Sequence, residues 1–179
     1  MKNKKIFEII QNIPPIDSVI RNKTLVKFDQ LAKPRKSLGR LEELIARAAG
    51  IYGDLNPLIT RKVIFLMAAD HGVTREGVSA YPSEITGQMV LNFLRGGAAI
   101  NVLARHSKTE VIITDIGVNA GLTEPSGIFH KKIALGTANM AKEPAMKREQ
   151  AERAIEVGYE VFEESFAGQK IDIAGLGEM

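Results

Sequence analysis

The sequence predicts an α/β fold built on a parallel sheet, and three observations carry that prediction. Val63-Ile64-Phe65-Leu66-Met67-Ala68-Ala69 is an apolar run without alternation, and Val111-Ile112-Ile113 opens a second one. Such runs suit strands buried on both faces, as parallel strands are. Segments of helical spacing separate them, and the order strand, helices, strand, helix, strand is the one that right-handed crossovers require. Each run also ends in an acid beside glycine: Asp70-His71-Gly72, Asp115-Ile116-Gly117 and, at a third apolar stretch, Gly175-Leu176-Gly177-Glu178. In open α/β sheets ligands sit beyond the carboxyl ends of the strands, so these three turns are where chemistry is expected.

The elements follow in order. Residues 4–11 and 17–30 read as short helices divided by Pro14-Pro15, with Asp17 as the N-cap of the second. Ser37 is the expected N-cap of a third helix carrying Leu38, Leu41, Leu44, Ile45 and Ala48, with Glu42 and Glu43 where the helix dipole favours acids. The character changes at Lys62, which divides a helical segment, 1–60, from an α/β segment, 61–179. Helices are expected at 84–95 and 97–106, broken at Gly96-Gly97, then a glycine-rich loop over 117–127 and a short strand at 130–135. The longest helix spans 147–166, with Ala151, Ala154, Ile155, Gly158, Val161 and Phe162 facing inward. Residues 171–175 form the last strand. A buried strand there lacks the helix that normally covers it, so the domain is expected to continue past Met179.

Composition narrows the function. A net charge of +3 with lysines scattered among acids gives no basic stripe, and nucleic acid is not an expected partner. The cluster Lys2, Lys4, Lys5 reads as a solvated terminus. The absence of cysteine excludes disulfides, zinc–thiolate sites and cysteine nucleophiles. No signal-peptide core and no run of about 18 apolar residues is present, so no membrane segment is expected and a cytoplasmic setting is the default.

The strand-end residues admit more than one chemistry. Asp70-His71 can organise a loop, with Gly72 allowing the turn, or can supply metal ligands for a phosphohydrolase. The metal reading needs further ligands, and only His106 and His130 remain among the histidines, neither at an expected strand end. Gly136-Thr137-Ala138-Asn139 can offer backbone N–H groups to phosphate or form a plain turn, and Asp115 can meet a ribose hydroxyl. Tyr81 and Gln88 pair an aromatic ring with a donor–acceptor amide, which suits a flat heterocycle with one polar edge.

Four blocks occur in register: Lys33-Pro34-Arg35-Lys36-Ser37-Leu38-Gly39-Arg40-Leu41-Glu42; Ala69-Asp70-His71-Gly72-Val73; Glu76 to Asn101, including Ser79-Ala80-Tyr81-Pro82, Gln88-Met89-Val90 and Arg95-Gly96-Gly97; and Gly136-Thr137-Ala138-Asn139-Met140-Ala141 with the closing Gly177-Glu178-Met179. In these blocks the chain resembles the N-terminal half of the nicotinate-nucleotide–dimethylbenzimidazole phosphoribosyltransferases, enzymes of cobalamin lower-ligand synthesis. Lys36 departs from the pattern, since the family often has glycine there. The resemblance implies a Rossmann-like sheet, here incomplete, with the N-terminal helices in a small helical lobe, and a homodimer as the full-length protein. It implies transfer of phosphoribose from nicotinate mononucleotide to 5,6-dimethylbenzimidazole, giving α-ribazole 5'-phosphate and nicotinate, without metal or cofactor. By resemblance Ser79, Tyr81 and Gln88 help to form the benzimidazole pocket, with Asp70, His71 and Gly177 as further substrate contacts. Glu178 is an assisting catalytic carboxylate, and the principal base lies in sequence absent from this chain. The 179 residues alone are therefore expected to be inactive, and a non-catalytic azole-binding fragment is the alternative.

Overall fold

The computed structural model describes residues 4–122, 127–167 and 169–179. The chain divides into two compact units, Met1–Ile59 and Thr60–Met179.

The first unit is helical: α1 (Lys4–Gln11), α2 (Ser18–Asp29) and α3 (Arg40–Tyr52). Asp17 caps α2 as expected, accepting from the backbone N–H of Val19 at 2.8 Å and Ile20 at 3.0 Å. Ser37 does not cap α3. Residues 35–39 form a turn instead, with Lys36 at φ 59° and Gly39, the true N-cap, at φ 55°. The turn is held from inside the helix, because the Glu42 carboxylate accepts the Leu38 N–H at 3.2 Å and the Lys33 ammonium at 2.7 Å. The Lys33 hydrogen bond, chiefly, holds the Glu42 carboxyl below its ordinary range, against the opposing effect of burial. The helix dipole alone is reason enough to expect an acid here. The structure adds a specific partner.

The second unit is the α/β sheet. Strands β1 (Lys62–Ala69), β2 (Glu110–Gly117), β3 (Ile128–His130) and β4 (Ile173–Glu178) lie in the order β3-β2-β1-β4, all parallel. Both apolar runs thus become the two central strands. The third strand falls two residues earlier than expected, and residues 123–126 of the glycine-rich loop lie outside the described residues. Helices α4 (Glu84–Leu94) and α5 (Ala99–Ser107) follow β1, and α6 (Arg148–Phe166) precedes β4.

Each face of the sheet has its own core. Leu66, Ala68 and Ile113 pack with Val90, Phe93 and Ala98 on the α4 side, while Val63 and Phe65 pack with Val157 and Val161 of α6 on the other. Val157 thereby takes the place expected of Ile155, which is 61% exposed. A helix places residues 154, 157 and 161 on one stripe, and 155 rotates off it. β4 lies at one end of the order β3-β2-β1-β4. Among the described residues it pairs only with β1, and Leu176, on the face of Phe65 by register, is 90% exposed.

Candidate functional site

The site is assembled at the carboxyl end of β1. Asp70 follows the strand and is buried, and its Oδ2 accepts the Asn119 N–H at 2.6 Å, tying β1 to the loop after β2. Asp115 works the same way: its Oδ1 accepts the N–H groups of Gly117 at 3.1 Å and Val118 at 2.8 Å. Its Oδ2 lies 3.1 Å from the Lys132 ammonium, an ion pair without hydrogen-bond geometry. The carboxylate is 1% exposed and is spent on the backbone and on Lys132, so it is not placed to meet a ribose.

Gly72 is needed for close approach rather than for an unusual dihedral. A Cβ there would lie 2.7 Å from Thr137 O, Ala138 C and Asn139 N, all backbone atoms. That contact lets residues 70–72 pair with 136–139 through Thr137 N–H to Asp70 O at 3.0 Å and Gly72 N–H to Thr137 O at 3.1 Å. Gly136 completes it at φ 86°. The Thr137 and Ala138 N–H groups, candidates for phosphate on sequence grounds, are used internally, the second on Ala145 O at 2.8 Å. The Asn139 side chain bonds Glu76 and accepts the Ala141 N–H at 3.0 Å. The Gly136–Asn139 turn is a structural clasp.

On the α4 side of this strand end lies a cleft of ≈ 730 Å³. Asp70, His71 and Thr74 form one wall, Ser79, Tyr81 and Ser83 another; Met89 and Phe93 of α4 supply an apolar floor, and Glu178 and Met179 close the far side. A cleft of this size, apolar with a few convergent polar groups, is the ordinary form of a small-molecule site. Its hydroxyls are organised. Thr74 Oγ1 and Ser83 Oγ lie 3.0 Å apart, so Ser83 leaves α4 without a side-chain cap. Ser79 Oγ accepts the Tyr81 N–H at 3.2 Å, holding the tyrosine, 69% exposed, at the rim.

Of the residues singled out in the sequence, Asp70, His71, Ser79, Tyr81 and Glu178 line this one cleft. Gln88 and Gly177 do not. Gln88 is exposed on α4, turned from the stripe of Ile85, Met89 and Phe93. Gly177 lies within β4 beside Leu66, where an added Cβ would stand 3.3 Å from Leu66 Cδ1. Thr74, Ser83 and the floor residues were not singled out. Ile85, Met89 and Phe93 at four-residue spacing are the signal that finds the floor.

The metal reading turns on where His106 and His130 fall. His106 lies in the last turn of α5, and His130, contrary to expectation, does end a strand. Among the described residues no group of three or more His, Asp or Glu side chains is gathered as a metal would need.

With that geometry in view, the family profile described as phosphoribosyltransferase matches residues 13–179. The chain belongs to this family. It is 50% identical over 174 residues to the nicotinate-nucleotide–dimethylbenzimidazole phosphoribosyltransferase of Chloroflexus aggregans, covering 97% of this chain and 49% of the relative. It is 49% identical over 170 residues to the enzyme of the same name from Geobacter sp. strain M21, covering 95% and 48%. The crystal structure of CobT from Thermus thermophilus superposes with a TM-score of 0.82 at 44% identity, covering 90% of this chain and 48% of that one. The chain spans about half the length of these family members. Among its described residues no helix is long and apolar enough to cross a membrane.

Proposed function

We propose that this chain forms the azole-binding part of a phosphoribosyltransferase acting on nicotinate mononucleotide and 5,6-dimethylbenzimidazole. In that reaction a benzimidazole nitrogen bonds to ribose C1', the bond from C1' to the pyridinium nitrogen breaks, and nicotinate leaves with the bonding pair. The benzimidazole N–H proton passes to a carboxylate. Positioning supplies much of the acceleration, because the pyridinium is already a good leaving group.

The observation that carries the reading is the cleft itself: an apolar floor for a flat ring, with the Ser79, Ser83 and Thr74 hydroxyls and the Tyr81 ring at its edge. Two carboxylates reach it, Asp70 and Glu178. Asp70 already accepts the Asn119 N–H, which leaves Glu178 as the one suited to assist proton movement. A single assisting group on a strand end fits binding better than turnover, and the 179 residues alone are inactive in this proposal. Small-molecule substrates, a cytoplasmic setting and a homodimeric full-length protein belong to the same reading.

Calorimetric titration with dimethylbenzimidazole tests it. The expected result is one saturable site, weakened at least tenfold by Met89→Trp, which places a bulky indole where the ring would lie. Gln88→Ala separates two versions of ring recognition: lost affinity puts the amide on the ring's polar edge, and unchanged affinity leaves that edge to the hydroxyls. No binding, or binding indifferent to Met89→Trp, refutes the reading. Nicotinate release from nicotinate mononucleotide by these 179 residues refutes the claim of inactivity.

A further inference from the structure

The wall of the cleft that carries Ser79 and Tyr81 rests on very little. Residues 75–82, which lead from the 3-10 turn Gly72–Glu76 into α4, are all exposed, Val78 by 68%. Neither hydrophobic core includes any of them. Glu76 anchors the start of the segment, bonding the Asn139 side chain and lying 3.4 Å from the Lys142 ammonium. Gly77 turns back at φ 72°, its N–H donating to Thr74 O at 3.1 Å. Beyond it, among the described residues, 78–81 hydrogen-bond only within the loop, through Tyr81 N–H and Ser79 Oγ.

The loop is closed at its neck by side chains. Thr74 stands just before it and Ser83 just after it, and their hydroxyl oxygens lie 3.0 Å apart in a part-buried contact. Counting protons gives that bond a direction. Thr74 has one hydroxyl proton and donates it to His71 O at 2.9 Å. Ser83 is therefore the donor at the shared contact, and the chain runs from Ser83 O–H to Thr74 Oγ1 and from Thr74 O–H to His71 O. It ends on fixed backbone, since His71 bridges to Thr137 and its carbonyl also accepts the Thr74 N–H at 3.1 Å. Ser83 occupies the N-cap position of α4 without capping it, so loss of its hydroxyl removes no helix cap.

We propose that Thr74 and Ser83 are positioning residues for azole binding: their hydroxyl chain is a latch that holds the Ser79–Tyr81 wall against the strand end at Asp70–His71. The inference rests on the azole-cleft reading. Opening the latch lowers the fraction of molecules competent to bind, and apparent affinity falls in proportion.

The test is a calorimetric titration with dimethylbenzimidazole of the 179-residue chain carrying Thr74→Val, Ser83→Ala, both together, or Thr74→Ser. Each of the first two is expected to weaken binding about three- to tenfold, the range spanned by loss of one ordinary hydrogen bond. The double variant should bind no worse than the weaker single, because both singles cut the same chain. Thr74→Ser keeps the hydroxyl and should bind within about twofold of wild type. Tryptic cleavage after exposed Arg75, identified by fragment mass, should quicken in the first three variants and so reports the open neck without any ligand. A purely structural role would lower the urea midpoint and leave the affinity of the folded chain unchanged. Ser83→Ala carries the test should Thr74→Val not fold. Wild-type affinity in the single variants, additive losses in the double, no rescue by Thr74→Ser, or unchanged cleavage after Arg75 overturns the latch and leaves the azole reading standing. A wild-type chain that does not bind dimethylbenzimidazole refutes the azole reading and this inference with it.

Discussion

Gly72→Ala is the sharpest probe of how the site is built. The added methyl would sit 2.7 Å from three backbone atoms of residues 137–139, and backbone cannot rotate out of the way as a side chain can. Ordinary contact needs the two segments to part by several tenths of an ångström. Overpacking of this kind costs about 1–3 kcal/mol. The separation also strains two backbone hydrogen bonds, Thr137 N–H to Asp70 O and Gly72 N–H to Thr137 O, each contributing about 0.5–1.5 kcal/mol. The expected destabilisation is about 2–4 kcal/mol, read as a lower urea midpoint with an unchanged slope. Because Asp70 and His71 border the cleft, dimethylbenzimidazole affinity should fall with it. Gly158→Ala is the control: it lies inside α6 with nothing within 4 Å of the new methyl, and should stabilise by about 0.5–1 kcal/mol. If Gly72→Ala unfolds at the wild-type midpoint and binds normally, the close-approach argument is wrong.

Other outcomes follow from the same geometry. Lys36→Gly should stabilise the helical unit by about 0.5–1 kcal/mol, since the left-handed conformation costs an L-residue about 1–2 kcal/mol and glycine's extra chain entropy returns part of that; thermal unfolding checks it, and a lower midpoint refutes it. The carboxyl of Glu42 is held below its ordinary 4.5, so its contribution is fully present above that value and disappears as the pH falls through the lower folded value. Glu42→Gln should accordingly lower the unfolding temperature at pH 7, and the gap to wild type should shrink as unfolding is measured at progressively more acid pH. Asp115→Asn should cost about 1–3 kcal/mol by leaving Lys132 beside a neutral amide, the loss moderated because the ammonium is part exposed. Glu178→Gln should stay within about 0.5 kcal/mol of wild type in urea unfolding, because no described residue bonds its carboxylate.

Much of the fold was legible because β1 and β2 are central strands, whose burial on both faces writes itself as unbroken apolar runs. β4 was legible as a strand from its short apolar stretch. Ser37 misled for a local reason. Serine before an apolar helix is a good cap, but Glu42 reaches back to Leu38 and the turn closes on Gly39 instead. The Lys36 departure did mark a real feature, a left-handed position where glycine would be at ease. The floor of the cleft was written in the spacing of Ile85, Met89 and Phe93, whereas Thr74 and Ser83 meet only through a 3-10 turn that spacing does not reveal.

The three strand-end acids show where sequence reasoning stops and why. Asp70, Asp115 and Glu178 occupy equivalent places in the chain grammar, each beside glycine at the end of an apolar run, and each was a candidate for chemistry. What separates them is who claims the carboxylate oxygens. Asp115 is buried and holds two N–H groups and Lys132; Asp70 is buried and holds Asn119. The strands that carry them, β1 and β2, are close in space but far apart in sequence, a pairing no local motif encodes. Glu178 lies on β4 at the cleft with its carboxylate unclaimed among the described residues. A scaffold acid should therefore cost stability when neutralised, and a functional one should leave stability unchanged. Asp115→Asn and Glu178→Gln measure that difference directly, and equal stability losses in the two would remove the basis for assigning Glu178 any part in proton transfer.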